Sequence, residues 1–135
     1  MNPRPSEVWT FKSRIAPKDE IKKKHHLCIG EDAIFLFVST HRERKKKHRG
    51  VMVIPNSAVP FLPPTETRLS EISCTTIIQR ETNDLSVPRD NPRGKVARDL
   101  MKDLLWHVKN SMQLTEDERD AILDAIYDFY GDSLN

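Results

Sequence analysis

Side chains that can act on a phosphodiester are concentrated in the first third of the chain. Lys24, His25 and His26 are consecutive, and the hydroxyl groups of Ser39 and Thr40 lie one predicted hairpin further on. Cleavage of RNA without a metal ion needs a base for the 2′-hydroxyl proton, an acid for the leaving oxygen, and cations or hydroxyl donors around the charge that develops on the phosphate. Histidine titrates near neutral pH and lysine is cationic, so these five residues are candidate catalytic residues for that reaction.

The two adjacent histidines cannot both serve one site if they lie on a strand. Successive side chains of a strand point to opposite faces, so at most one of His25 and His26 points into a given site. His41 is a further candidate proton carrier. The alternative is that these histidines are exposed neighbours of lysines without a function, because a charged surface tolerates them.

A second feature is the cationic stretch between positions 22 and 49. The residues that we predict to bind nucleic acid are Lys22, Lys23, His41, Arg42, Arg44, Lys45, Lys46, Lys47 and Arg49. Positive charges at this density repel one another unless anions neutralise them, and each phosphate contact releases counterions, so the stretch favours an RNA or DNA backbone as partner. The alternative is a solvated hairpin tip or a non-specific basic patch.

The other end of the chain is acidic. From position 115 onward, seven acidic residues accompany a single basic one, Arg119. Such asymmetry favours a polyanion as partner of the basic part. The acidic end either keeps the protein soluble or repels the same polyanion from the wrong face.

Composition limits the remaining classes of protein. A chain of 135 residues suffices for one domain, and 37% hydrophobic with 31% charged residues is typical of a soluble globular protein. The sequence has neither an apolar run near the roughly 20 residues that span a bilayer nor a secretory signal, so we expect a cytoplasmic protein without membrane contact. Cys28 and Cys74 are expected to be buried free thiols. Metal-ligand spacing and phosphate-binding glycine loops are lacking, so we expect neither metal nor cofactor.

Residue periodicity predicts a bent β unit followed by two helices, in one domain covering 1–135. The predicted strands are 7–11, 26–29, 33–38, 51–54, 72–79 and 85–87, with a polar link at 12–24 and a turn at 30–32. Pairing of 26–29 with 33–38 around that turn would bring His25 close to Ser39 and Thr40. The β unit is expected to cover 6–90.

Two helices are predicted after the β unit. Asn91 and Pro92 form a good N-cap and first position, and they begin a packed helix at 91–113. Its predicted buried stripe contains Val96, Leu100, Leu104, Val108 and Met112, with Met101 and Leu105 beside it. A capping box from Thr115 to Glu118 begins a terminal helix at 115–130, which Gly131 ends.

The order of these elements resembles the MazF/PemK family of toxin ribonucleases. The sequence at 7–11 is similar to that family's first strand, 24–29 to its Arg-Pro-x-Leu-Val-Ile strand, and 35–40 to its third strand, which ends in a Thr/Ser pair. Positions 70–77, Gly94 and the helix at 95–114 follow the family's late elements. The resemblance covers roughly 6–114, by order more than by identity, and the helix after position 114 lies outside it.

This resemblance implies a fold, an activity and partners. The fold would be a mainly β, SH3-like bent β-barrel closed by an α-helix, with a second short C-terminal helix added. The activity would be that of a metal-independent endoribonuclease that cleaves single-stranded RNA, as a homodimeric toxin neutralised by an acidic antitoxin protein. Lys24 occupies the place of the family's catalytic arginine, His25 that of its proline, and Ser6 that of its glycine, while Ser39 or Thr40 supplies the hydroxyl. Lysine lacks arginine's bidentate grip on phosphate, so catalysis has either moved to a neighbouring histidine or been lost.

Two other functions compete with the nuclease. A non-catalytic nucleic-acid-binding module with the same barrel would bind with a steep salt dependence and would not cleave. An adaptor would bind another protein through the aromatic residues Tyr127, Phe129 and Tyr130 near the end of the chain.

Overall fold

The protein is a curled antiparallel β-sheet with two helices at its C-terminal end. A computed structural model describes residues 3–15, 20–30, 34–40, 50–75, 77–79 and 91–131. The strands within these ranges are β1 (Glu7–Ile15), β2 (Glu20–Gly30), β3 (Ile34–Thr40), β4 (Val51–Pro55), β5 (Leu69–Ser73), β6 (Ile78–Gln79) and β7 (Gly94–Lys95). A 3₁₀ turn covers Asn56–Ala58, and the helices are α1 (Arg98–Lys109) and α2 (Glu116–Tyr130).

The strands follow the order β4-β5-β3-β2-β1-β7, and β6 pairs with β3 next to β5. Each pair is antiparallel, and the sheet curls into a half-barrel. The predicted mainly β fold with C-terminal helices is therefore confirmed. The described helices include none that is both long enough and apolar enough to cross a bilayer.

The predicted polar link at 12–24 is wrong, because both flanking strands continue into it. β1 extends to Ile15 and β2 begins at Glu20, with Lys12 opposite Lys23 and Ser13 opposite Lys22. Main-chain hydrogen bonds hold this ribbon together, and they need no apolar alternation. A sequence pattern based on hydrophobicity therefore misses it.

Both helices help to cover one face of the sheet. The main core joins strand residues such as Val8, Leu27 and Ile72 to the helix residues Leu104 and Ile126. Four positions of the predicted stripe are buried, namely Leu100, Leu104 and Val108 on α1 and Val96 just before it, as are Met101 and Leu105. Met112 is 86% exposed, because α1 ends at Lys109 and the stripe ends with it.

The terminal helix α2 is part of this core. The predicted capping box is present, since the Glu118 amide donates to Thr115 Oγ1 and the Thr115 amide donates to Glu118 Oε1. Ile122 and Ile126 are fully buried. At Gly30 the helix comes so close to β2 that an added Cβ would lie 3.0 Å from the Cβ of Ala125. Glycine at position 30 therefore permits the close packing of α2 on the sheet.

Two further predicted boundaries differ from the structure. The predicted strand at 72–79 is two strands, because after β5 ends at Ser73 the Cys74 amide bonds to Gly50 and its carbonyl accepts a hydrogen bond from Ser111 Oγ. Helix α1 begins at Arg98, after the N-cap Ala97, and not at Asn91. Cys28 and Cys74 are buried free thiols, as predicted. The predicted strand at 85–87 and most of the turn at 30–32 lie outside the described residues.

Candidate functional site

The hairpin of β1 and β2 places the two adjacent histidines on opposite faces of the sheet. His25 is opposite Thr10 on β1 and Val38 on β3, whereas His26 is opposite Trp9 and Phe37. His25 is half-buried at the end of the core-covered face, and His26 is 0% exposed. The expectation that only one of the two histidines can face a given site is confirmed.

His26 is enclosed by aromatic side chains. Its ring stacks on Phe11 with a centroid distance of 3.7 Å and an interplanar angle of 6°, and the ring of Phe35 meets it edge-on. The Nε2 atom lies 3.0 Å from Ser13 Oγ. This histidine belongs to a small second core with Trp9, and a ligand on the surface does not reach it. Its placement therefore does not support the catalytic role predicted for it.

His25 takes part in a buried polar cluster. Its Nδ1 atom lies 2.9 Å from Thr10 Oγ1, and Arg93 Nε donates to the same hydroxyl oxygen over 3.2 Å. Thr10 is 1% exposed, whereas His25 and Arg93 are half-buried. The cluster thus has a buried hydroxyl at its base and two groups near solvent, one of them permanently cationic.

Asn91 holds this cluster in register. Its side-chain amide accepts a hydrogen bond from the Thr10 main-chain N–H over 2.8 Å and donates to the Thr10 carbonyl over 2.7 Å. Two residues later, the Arg93 amide donates to the Val8 carbonyl, and β7 continues the pairing with β1. The Asn91 side chain therefore replaces a paired strand residue and directs Arg93 back towards Thr10.

Burial and neighbouring cations favour the neutral form of His25. Its pKa lies below the ordinary value of 6.5, firstly because burial disfavours the charged ring and secondly because Arg93, Lys23 and Lys24 repel a positive charge. On the same face, the next row of the sheet holds Lys12 opposite Lys23, and both are exposed. A neutral ring surrounded by fixed positive charges can bind an anion by hydrogen bonding without being charged itself.

The structure divides the five predicted catalytic residues between the two faces. Thr40 shares the face of His25 but lies two positions beyond Val38, about 7 Å along the strand. Lys24 and Ser39 share the face of His26, where Ser39 is opposite the buried Glu71. Lys24, Ser39 and Thr40 are all half-exposed. The five residues therefore do not form one site.

The predicted nucleic-acid-binding residues are only partly described. Lys23 is exposed on β2, and Lys22 pairs with Ser13 in the β1–β2 ribbon. The rest of the predicted set lies outside the described residues, namely His41, Arg42, Arg44, Lys45, Lys46, Lys47 and Arg49.

Sequence reasoning missed Thr10, Asn91 and Arg93. Thr10 was one residue of a predicted strand, and Asn91 was predicted to be a helix N-cap, which is the commonest reading of Asn-Pro before an apolar repeat. Only the pairing of β1 with β2 and with the segment before β7 brings them to His25. The sole sequence signal is a polar residue, Thr10, on the buried face of a strand, two positions after Val8.

The described residues offer no group of three potential metal ligands. No protein-family model, no curated protein and no solved structure matches this chain. The resemblance to the MazF/PemK toxins thus stays a hypothesis, and the geometry around His25 is the remaining indication of a function.

Proposed function

We propose that this protein binds single-stranded RNA around His25, where the main core on that face of the sheet ends, and cleaves it without a metal ion. The observation that carries the proposal is the placement of His25. It is a half-exposed, neutral imidazole whose Nδ1 is held by a buried hydroxyl, with exposed lysines in the next row of the same face. Hydrogen-bond donors and fixed positive charges of this kind stabilise the charge that develops on a phosphate during transesterification.

The role of each group follows from its position. His25 meets the scissile phosphate, because it is a partly exposed member of the cluster and lies on the strand next to the pair of Lys12 and Lys23. Lys12 and Lys23 neutralise neighbouring phosphates of the backbone. Arg93 adds a permanent positive charge beside the ring.

The resemblance extends this proposal to a biological role. A MazF/PemK-like ribonuclease is the toxin of a toxin–antitoxin pair, and an acidic antitoxin protein would occupy the same cationic surface as the RNA. A homodimer is the expected assembly of such a toxin. A growth arrest on expression, relieved by an adjacent gene for a small acidic protein, would support this role.

The proposal is tested by a cleavage assay in EDTA on a long single-stranded RNA of mixed sequence. Wild type is compared with His25→Ala, and with His107→Ala as the matched control, because His107 lies on α1 beside Trp106. We expect discrete products from wild type and His107→Ala, and loss of cleavage in His25→Ala. Cleavage that survives in His25→Ala would reject the assignment to His25.

A non-catalytic RNA-binding module is the second candidate, and one observation favours it. Lys24, which occupies the position of the family's catalytic arginine, lies on the other face of the sheet from His25, as does Ser39. Binding needs only the cationic surface, whereas cleavage needs a converging set of groups. Retarded but intact RNA in the same assay would establish this module, and the absence of both retardation and cleavage would exclude both candidates.

A further inference from the structure

The hydrogen bonds around Thr10 run in one direction. An arginine side chain has donors and no acceptor, so the contact of 3.2 Å between Arg93 Nε and Thr10 Oγ1 is donated by Arg93. The Thr10 hydroxyl then has its own proton to place. Thr10 is 1% exposed, so solvent does not accept this proton. His25 Nδ1, 2.9 Å away, is the one acceptor that the described part of the chain offers.

The opposite arrangement would leave a buried donor without an acceptor. If His25 carried its proton on Nδ1, Thr10 Oγ1 would accept from both His25 and Arg93, and its own proton would have no acceptor among the described residues. Native proteins rarely bury such a donor. A chain from Arg93 Nε–H to the Thr10 hydroxyl and on to His25 Nδ1 satisfies all three groups, and consecutive hydrogen bonds strengthen one another.

We propose that Thr10 and Arg93 are positioning residues that hold neutral His25 with its proton on Nε2, so that the ring offers an N–H donor to an anionic phosphate oxygen. The identity of the anion as an RNA phosphate rests on the proposed function, whereas the position of the proton on the His25 ring does not. The Nε2 atom has no hydrogen-bond partner in the described ranges and belongs to a half-exposed ring, so it is the atom that a ligand reaches.

This tautomer changes the chemistry assigned to His25. A ring that already carries a proton on Nε2 cannot take the 2′-hydroxyl proton with that atom. It instead donates a hydrogen bond to a phosphate oxygen and stabilises the negative charge that grows there, a role that neutral imidazoles with a lowered pKa perform in enzymes. His25 acts as a charge-stabilising donor in this proposal, and cleavage then needs another base for the 2′-hydroxyl proton.

The tautomer is measured directly by two-bond ¹H–¹⁵N correlation NMR on protein with labelled histidine, in the absence of RNA. The pH is set above the ordinary histidine pKa of 6.5, and the His25→Gln spectrum identifies the resonances of His25 among those of the 5 histidines. We expect a protonated Nε2 and an unprotonated Nδ1. A protonated Nδ1 would overturn the inference.

Substitution of Thr10 tests the direction of the hydrogen bond. Thr10→Val keeps the shape of the side chain and the main-chain bonds to Asn91 but removes the hydroxyl. A donor to Nδ1 stabilises the neutral ring, so its loss raises the pKa of His25 in an NMR titration, whereas loss of an acceptor would lower it. Thr10→Ser keeps the hydroxyl and should restore the wild-type pKa. A fall of the pKa in Thr10→Val would contradict the proposed direction.

RNA binding separates this inference from the proposed function. We expect Thr10→Val to bind a short single-stranded RNA about threefold more weakly than wild type, and Thr10→Ser to bind like wild type. If Nε2 is protonated but RNA binding is indifferent to Thr10→Val and His25→Ala, the phosphate as ligand of His25 is refuted and the tautomer stands. If RNA binding depends on His25 while Nδ1 carries the proton, the positioning role fails and the proposed function survives.

Discussion

His25 and His26 are neighbours in the chain, yet their surroundings have little in common. His25 contacts a buried hydroxyl and sits beside cations, and its ring reaches solvent. His26 stacks on Phe11 in a small aromatic core and is wholly enclosed. One peptide bond separates them, but the sheet lies between their side chains. Each histidine is therefore defined by the face that it occupies and not by its sequence neighbours.

The two faces differ in the side chains that pack on them. The face of His25 carries the main core, to which α1 and α2 contribute, but this core ends at the row of Thr10 and His25. Beyond that row come Lys12 and Lys23, which remain exposed. The face of His26 has its own aromatic cluster, which contains Trp9. The proposed site thus lies where a buried face meets solvent, and the aromatic cluster contributes stability.

The largest effect that this contrast predicts is on stability. His26→Ala removes a fully buried, stacked ring, and we expect it to lower the free energy of unfolding by about 3 kcal/mol. His25→Ala, as the matched control, should lower it by less, about 1.5 kcal/mol, because that residue is half-buried and the main loss is the acceptor of the Thr10 hydroxyl. Urea denaturation measures both values. Equal losses for the two variants would show that the faces do not differ as described.

A smaller loss of stability is expected at the polar cluster. Asn91→Ala leaves the main-chain N–H and C=O of Thr10 without their side-chain partner, and we expect a loss of about 2 kcal/mol. Asn110→Ala is the control, since Asn110 makes one exposed hydrogen bond at the end of α1. Urea denaturation again gives the values. An unchanged stability for Asn91→Ala would contradict the stabilising role of the two hydrogen bonds between the Asn91 side chain and the Thr10 main chain.

RNA binding shows which face the nucleic acid uses. Lys23 lies on the same face as His25, whereas Lys24 lies on the face of His26. We therefore expect Lys23→Ala to reduce the slope of log affinity against log salt concentration by about 0.7, which is the value for one phosphate contact on a single strand. Lys24→Ala should change this slope less, and Lys102→Ala on α1 is the control. Filter binding over a range of salt concentrations provides the slopes. A larger effect of Lys24→Ala would indicate that RNA binds the face of His26. The resemblance to the toxin family implies that face, because Lys24 occupies the place of the family's catalytic arginine.

The smallest effect is a pH dependence of stability. The folded chain holds His25 with a pKa below 6.5, so the unfolded chain takes up this proton more readily. The contribution of His25 is fully present above pH 6.5 and is lost as the pH falls through the window between 6.5 and the lower folded pKa. Unfolding measured across this window should show a shallower decline in His25→Gln than in wild type. Identical slopes would mean that folding leaves this pKa unchanged.

Local patterns in the sequence predicted much of the fold. The apolar stripe of α1, the capping box of Thr115 and Glu118, and the central residues of the first four strands depend on residues near in sequence. The site was predicted only in part. His25 was among the candidates, but His26, Lys24 and Ser39 were grouped with it because sequence proximity does not show which face a side chain occupies. Thr10, Asn91 and Arg93 were missed because 81 residues separate Thr10 from Asn91 in the chain.

The sequence by itself determined a β-rich chain with two C-terminal helices, and it placed histidines and lysines on one hairpin. It could do so because strand and helix propensity, hydrophobic periodicity and helix capping all depend on residues that are close in sequence. Tertiary structure alone decided which histidine is buried, since that depends on the register between β1 and β2 and on what covers each face. It also decided that Arg93 reaches Thr10, because the Asn91 side chain pairs with the main chain of a strand that is distant in sequence. Long-range pairing places the donors around His25, and no local pattern encodes it.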